Sequence, residues 1–364
     1  MPLLFANRLR RLRAALRRVR ASAMLISHRP NVFYLTGFTG DNAMLVVEPS
    51  GPPLLLTDPR FDTQAAEECR ASRPRIVVTR RPLTGEAGEH LGRLPRSAIT
   101  LFEEDKLTVA QLRSVRTPAR GVCRWKPVRG FVEALREVKD AEELRRMRAS
   151  ARIASQVVEH AIKAARPGIA ELDLAAEIEY RMRKLGAEGP SFETIVASGP
   201  RAALPHGRAT SKRLKEKDLV VLDLGVILRG YCSDITRTFH LGRASGEVHR
   251  WYQAVLDAQR AARKAVHAGV AAGRVDEAAR SVLRAQALDG YFIHSTGHGL
   301  GLEVHEQPSL RKDQKGALKA GSVITIEPGI YLPGRGGIRI EDDVLVLDGG
   351  SETLTSAPRE LIEV

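Results

Sequence analysis

Leu222-Asp223-Leu224-Gly225-Val226 and Ile326-Glu327-Pro328-Gly329-Ile330 are one short pattern met twice: apolar residues, an acid, a glycine and a return to apolar residues. The offset is 104 residues, and Leu214-Lys215 and Leu318-Lys319, which introduce the two runs, repeat at the same offset. Self-similarity at a fixed spacing indicates duplicated structure. At similar spacings Asp234 pairs with Glu341 and His206 with His305. The pattern predicts two halves facing each other about a pseudo-twofold axis, each placing carboxylates at the junction. Such an acid, at the end of an apolar strand, is expensive to bury without a partner. A cation is the simplest partner.

A second stretch supplies the remaining ligand chemistry: Thr296-Gly297-His298-Gly299-Leu300-Gly301-Leu302-Glu303-Val304-His305-Glu306-Gln307-Pro308. Its glycines are expected to let the backbone approach a metal or substrate closely. Its histidines can ligate a metal, donate a hydrogen bond or carry a proton near neutral pH. With one of them, Asp223, Asp234, Glu327 and Glu341 make four carboxylates and one imidazole. Four negative charges repel too strongly around one divalent ion. Two divalent ions balance them, and carboxylates can bridge such a pair about 3.5–4 Å apart. Oxygen-rich ligation with one imidazole favours Mn²⁺ over Zn²⁺ or Co²⁺.

The 364 residues suggest two domains or one large one, and 43% apolar residues suffice for real cores. Leu9, Leu12, Leu16 and Val19 recur at helical spacing in an arginine-rich first helix. Apolar runs at 23–26, 43–47, 54–56, 75–78 and 97–101 read as strands, with helices at about 61–69 and 107–115 between them. Alternating strands and helices indicate an α/β domain. A Pro/Gly/Arg-rich stretch near 116–130 ends it, giving domains 1–130 and 131–364. Asp140 and Glu143 form a capping box for a long helix striped by Leu144, Met147, Ala151, Ala154, Val158 and Ala161, which Pro167-Gly168 ends. A helix at about 172–185 and strands at 194–197, 219–224 and 231–239 follow. The plan then repeats with helices at about 247–268 and 275–287 and strands at 323–327 and 337–346.

Charge and cysteines bound the partners. Lys+Arg 57 against Asp+Glu 43 leaves +14, but the basic residues are scattered and aromatics are only 5%, which offers little stacking surface for single strands. No specific nucleic-acid partner is expected. Cys69, Cys123 and Cys232 lie far apart, which fits a reducing cytoplasm rather than a disulfide framework. No apolar run reaches the ~18 residues of a membrane span, so no membrane partner is expected either.

These motifs resemble the creatinase/prolidase/methionine aminopeptidase group of pita-bread metallopeptidases, peptidase family M24, and within it the Xaa-Pro aminopeptidases and dipeptidases. The resemblance covers nearly the whole chain. It implies a creatinase-like α/β N-terminal domain, carried by Asn31-Val32-Phe33-Tyr34-Leu35-Thr36-Gly37-Phe38, and a duplicated pita-bread catalytic domain. It maps the five metal ligands onto Asp223, Asp234, His298, Glu327 and Glu341, and the two catalytic histidines onto His206 and His305. His294 falls at the family's proline-pocket histidine. Arg339, two residues before a ligand, is open to pairing with ligand carboxylates or with substrate. A homodimer is also implied.

The chemistry expected is hydrolysis of the Xaa-Pro bond at the N-terminus of proline-containing peptides. Two cations would lower the pKa of a shared water and make it a nucleophile. Glu327 would move its proton to the leaving nitrogen, His305 would donate to the oxyanion, and His206 would contact the scissile amide or steady the intermediate. A dipeptidase needs a group for the free proline carboxylate. With no dedicated binder legible in the sequence, the reading leans to aminopeptidase, with Xaa-Pro dipeptidase as the alternative. Creatinases do not keep this ligand set and scaffold relatives typically lose it, which disfavours both.

Overall fold

The computed structural model describes residues 2–364, in two compact units, one ending at Arg136 and the other Glu137–Val364. The first holds strands β1 (Ala23–Ile26), β2 (Ala43–Val47), β3 (Leu54–Thr57), β4 (Arg75–Val78), β5 (Ala98–Glu103) and β6 (Cys123–Val128) in the order β4-β3-β2-β1-β5-β6. Helices α1 (Pro2–Arg18), α2 (Arg29–Thr36), α3 (Asp62–Glu68), α4 (Leu83–Leu91), α5 (Val109–Arg116) and α6 (Glu133–Arg136) connect or flank them. Every residue of β1 is buried, as a central strand requires. Leu83, Ala87 and Leu91 of α4 sit one turn apart and share a core with Leu25, Val46 and Leu56.

Three features of this unit escape the sequence pattern. The Asn31–Phe38 stretch is mostly helical, ended by Gly37 at φ +82°, whose N–H donates to Phe33 O at 2.7 Å. Helix α4 carries two glycines, which mask its periodicity. Strand β6 lies inside the stretch read as a boundary. Its neighbour β5 pairs with it in parallel from Ala98↔Cys123 to Glu103↔Val128, and the first unit therefore runs on to Arg136.

The second unit opens with α7 (Ala141–Ala164), whose capping box forms as expected: Asp140 accepts from the Glu142 and Glu143 N–H groups, and Glu143 accepts from Asp140 N. Next come α8 (Glu171–Lys184), β7 (Gly189–Pro190), β8 (Ile195–Ser198), β9 (Leu219–Leu224), β10 (Val226–Leu228), β11 (Tyr231–Cys232) and β12 (Ile235–His240). The second half runs through α9 (Gly246–Lys264), α10 (Ala272–Ala285), β13 (Gly297–Gly299), β14 (Glu306–Leu310), β15 (Val323–Ile326), β16 (Gly329–Leu332), β17 (Gly336–Arg339), β18 (Asp342–Leu347) and β19 (Gly350–Thr353). Each half builds its own core between a helix pair and its strands: α7 and α8 over β8, β9 and β12, and α9 and α10 over β15 and β18. That is the duplication expected from the repeat.

The ladders correct one detail of it. Leu222 pairs with Arg237 in the first half and Ile326 with Asp342 in the second. Extending both ladders by one residue equates Thr236, not Asp234, with Glu341. Asp234 stands two residues earlier, between β11 and β12, and a shift of two keeps a side chain on the same face of a strand. Both acids therefore reach the same place from inequivalent positions. Equivalent residues meet across the axis: Thr236 Oγ1 donates to Glu341 Oε2 at 2.6 Å and Arg237 Nη2 to Asp342 Oδ1 at 2.8 Å.

Candidate metal centre and cavity

All five expected ligands lie on strands or one residue beyond a strand end. Asp223 is in β9, Asp234 precedes β12, His298 is in β13, Glu327 follows β15 and Glu341 precedes β18. The long strands expected at 231–239 and 337–346 are each interrupted, at 233–234 and at 340–341, beside the acids themselves. Strand ends free a side chain from the ladder while the strand still fixes its root.

The five converge on one cavity of about 490 Å³. Ligand atoms of Asp234, His298 and Glu341 all lie within 4.8 Å of one another. His298 Nδ1 donates to Gly299 O at 3.0 Å, which fixes the tautomer. Its Nε2 lone pair then faces Asp234 Oδ2 at 3.7 Å and Glu327 Oε1 at 3.5 Å. Asp223 Oδ1 and Asp234 Oδ1 are buried with no hydrogen-bond partner among the described residues. Orphaned carboxylate oxygens converging with an imidazole lone pair fit divalent cations.

The glycines flanking His298 do a different job from the one expected. A Cβ at Gly297 would lie 1.9 Å from Thr325 O, and one at Gly299 2.0 Å from Gln307 O. They admit the backbones of neighbouring strands rather than a metal or substrate. The register shifts between His298 and Gly299, a bulge that re-aims the histidine.

Crowded, buried carboxylates hold protons tightly. Burial pushes Glu327 up to about 7, with Arg339 opposing and Asp223 adding to the rise. Burial, then the neighbouring acids, raise Asp234 and Glu341 well above the usual carboxylate range. Burial lowers His298 and His305, so both are neutral near pH 7.

The remaining expected residues line the same cavity. His206 and His305 are exposed in it, and the His305 ring stands edge-on to His298 with centroids 4.4 Å apart. His294 is lowered to about 4 by burial; its Nδ1 donates to Ser295 O and its Nε2 accepts from the Tyr331 hydroxyl, each at 2.8 Å. Arg339 donates to Asp223 Oδ2 at 2.6 Å, to Tyr331 Oη at 2.7 Å, to Thr236 Oγ1 and to Pro205 O. Of its two readings, this geometry supports the pairing with a ligand carboxylate. Tyr331, assigned no role in the sequence, links His294 to Arg339 through its hydroxyl. Glu193 and Arg208, which belong to no motif of the sequence, also line the cavity, and Arg208 stands two residues from His206.

The turn that carries His305 is locked from behind. Glu306 Oε1 accepts from the Leu302 and Glu303 N–H groups at 2.9 and 3.2 Å, and Glu306 Oε2 pairs with Lys139 Nζ at 3.2 Å. The lysine side chain is 1% exposed and the glutamate 5%. Removing one partner of a buried pair strands the other charge, at about 3–5 kcal/mol. Lys139→Met should therefore lower the unfolding free energy by about that much in urea titration. A loss below about 1 kcal/mol would mean that the pair is not dry.

Fold and site together define a two-domain α/β protein whose duplicated second unit gathers carboxylates and an imidazole suited to divalent metal. The profile of metallopeptidase family M24 matches residues 145–348, and that of the creatinase/prolidase N-terminal domain matches residues 8–138. The chain belongs to metallopeptidase family M24, whose members act with divalent metal ions, and it has the creatinase-type N-terminal and pita-bread catalytic domains of that family. An Xaa-Pro dipeptidase of Pyrococcus furiosus is 37% identical over 93% of this chain and 94% of its own length. A solved Xaa-Pro dipeptidase from Bacillus anthracis superposes with a TM-score of 0.94 at 35% identity, over 99% of this chain and 100% of its own. An X-Pro aminopeptidase structure from Thermotoga maritima superposes with a TM-score of 0.89 at 34% identity, over 96% of this chain and 100% of its own. No helix among the described residues is long and apolar enough to cross a membrane.

Proposed function

We propose that this protein is a metal-dependent exopeptidase that hydrolyses Xaa-Pro dipeptides, with Asp223, Asp234, His298, Glu327 and Glu341 holding two divalent ions, Mn²⁺ by preference. The observation that carries the reading is the convergence of unpartnered carboxylate oxygens and the His298 lone pair in one cavity that also holds His206, His294 and His305. The names of the relatives favour the dipeptidase over the aminopeptidase to which the sequence leaned. A cytoplasmic homodimer is part of the same reading. Sedimentation should give twice the 39.9 kDa chain mass.

When bound, the cations supply Lewis acidity and a water acidic enough to attack near neutral pH. The chain's own groups do the rest. Glu327, which lines the cavity beside Asp223 and His298, can take a proton at its carboxylate and deliver it to the leaving prolyl nitrogen. That nitrogen carries no hydrogen in an Xaa-Pro bond, so it must receive one to leave as an amine. Neutral His305 offers an N–H to the carbonyl oxygen as charge develops there, and His206 borders the same space. Tyr331 stays protonated, pushed up to about 12 by burial, and holds the His294 ring as part of the proline wall.

The deciding assay uses metal-stripped protein with and without Mn²⁺, an Xaa-Pro dipeptide, an Xaa-Pro-Yaa tripeptide, and His298→Ala as control. Metal-dependent cleavage of the dipeptide, lost in the variant, is expected. Cleavage confined to the tripeptide would make the protein an aminopeptidase. Cleavage of neither, with metal bound, would sink the peptidase reading.

A further inference from the structure

Resting on the dipeptidase reading, we propose that Arg208, with Glu193 as its resting partner, binds the free C-terminal carboxylate of the substrate and so sets the preference for dipeptides. The cavity is lined by two arginines and no lysine. Arg339 is committed: its Nε, Nη1 and Nη2 donate to Thr236 Oγ1, Pro205 O, Tyr331 Oη and Asp223 Oδ2. His294 has no donor left either, because its Nδ1–H is given to Ser295 O and its Nε2 accepts from Tyr331. Arg208 differs from both. Its Nε lies 2.9 Å from Glu193 Oε2, the two side chains are 76% and 59% exposed, and both line the cavity. Exposed ion pairs of this kind are weak, so a substrate carboxylate can replace Glu193 at little cost. The guanidinium fork suits a carboxylate in a two-pronged grip.

The main chain beneath Arg208 is built, not loose. Arg208 forms a bridge with Ile195, and its carbonyl accepts from Arg201 Nη2. Arg201 Nε donates to the buried Glu171 at 3.1 Å, and Thr210 N and Oγ1 donate to the same carboxylate at 3.1 and 2.8 Å. Glu171 thus holds Thr210 and, through Arg201, the carbonyl of Arg208, whose guanidinium is exposed two residues from His206. A dipeptide ends in a charge within reach of the proline ring. In a longer peptide an uncharged amide stands there, and Arg208 gains nothing from it.

The test compares Ala-Pro with Ala-Pro-amide on the Mn²⁺-loaded protein, in wild type, Arg208→Gln, Arg208→Lys and Glu193→Gln. Wild type should prefer Ala-Pro. Arg208→Gln should shrink the ratio of kcat/KM for the two substrates about tenfold or more, through KM for Ala-Pro. Arg208→Lys should restore part of that ratio, keeping the charge but not the fork. Glu193→Gln should lower KM for Ala-Pro by removing the competitor. A merely structural Arg208 would change both substrates together, and an unchanged ratio in Arg208→Gln overturns the assignment. So does a wild type with no preference for the dipeptide. Hydrolysis of neither substrate is a separate failure, which removes the dipeptidase reading and this inference with it.

Discussion

Glu327→Gln should lower kcat for an Xaa-Pro dipeptide by about 10⁴-fold and, in metal-free protein at pH 8, raise stability. The two effects come from one carboxylate. Glutamine keeps the volume but can neither take up a proton nor offer a charged ligand. Well-placed proton transfer is worth about 10²–10⁴-fold, and loss of a ligand charge adds to it. The stability gain has the opposite sign because Glu327 sits at about 7 in the fold, against 4.5 ordinarily. Ionising it inside the protein at pH 8 costs about 3 kcal/mol, and glutamine never incurs that penalty. Steady-state kinetics, metal content and thermal melts of the two proteins read both effects. A variant with near-wild-type kcat would remove Glu327 from the mechanism.

The second large effect is on the stability of metal-stripped protein as a function of pH. Asp234 and Glu341 are both raised well above the usual range by burial and mutual repulsion, and Glu327 is raised to about 7. A group that binds its proton more tightly folded than unfolded stabilises fully below its unfolded pKa, and that contribution is lost as pH rises through the folded value. The metal-free protein should therefore lose stability as pH rises from about 4.5, the ordinary carboxylate value, to about 7, where Glu327 ionises in the fold, most steeply above about pH 6.5 where histidines are neutral folded and unfolded, with Asp234 and Glu341 adding loss in the same direction. Below about pH 6.5 the histidines act in the other direction. His294, lowered to about 4, is neutral in the fold, and its contribution falls away as pH drops below the ordinary histidine range. Saturating Mn²⁺ at pH 8 should flatten the slope and add about 4 kcal/mol at a thousand times Kd, since cations bind only the ionised, folded site. Chemical denaturation at several pH values, with and without metal, reads the slope. A metal-free protein equally stable across that window would mean that the acids are not packed against one another.

Much of the centre was legible because its chemistry is written in residue type and spacing. An acid closing an apolar run, repeated 104 residues on, marks both the duplication and two of the ligands. The glycine-rich stretch offers two imidazoles, His298 and His305, and the family resemblance implies His298 as the ligand. What misled was local. Gly85 and Gly88 hide α4, and Pro127 hides β6, an edge strand where proline is tolerated. The Asp234–Glu341 pairing was read two residues out of register, because the sequence shows the acids and not the ladder.

The positioning groups were invisible for a different reason. Lys139 and Glu306 stand 167 residues apart, and Glu171 ties together residues 27 to 39 positions away. A buried lysine looks like any surface lysine until the fold removes its water. The same holds for Arg208, one of 57 basic residues, which becomes distinctive only because Arg339 is committed to buried partners and Arg208 to an exposed pair with Glu193. The sequence alone determined the duplicated frame and the acids that recur in it, since both depend on residue chemistry at fixed spacing, while the choice of His298 as ligand and the roles of His206 and His305 are what the family resemblance implies. Tertiary structure decided which oxygens lack partners, which tautomers the histidines hold and which arginine is held only by an exposed ion pair, because burial and hydrogen-bond commitment exist only once distant segments meet.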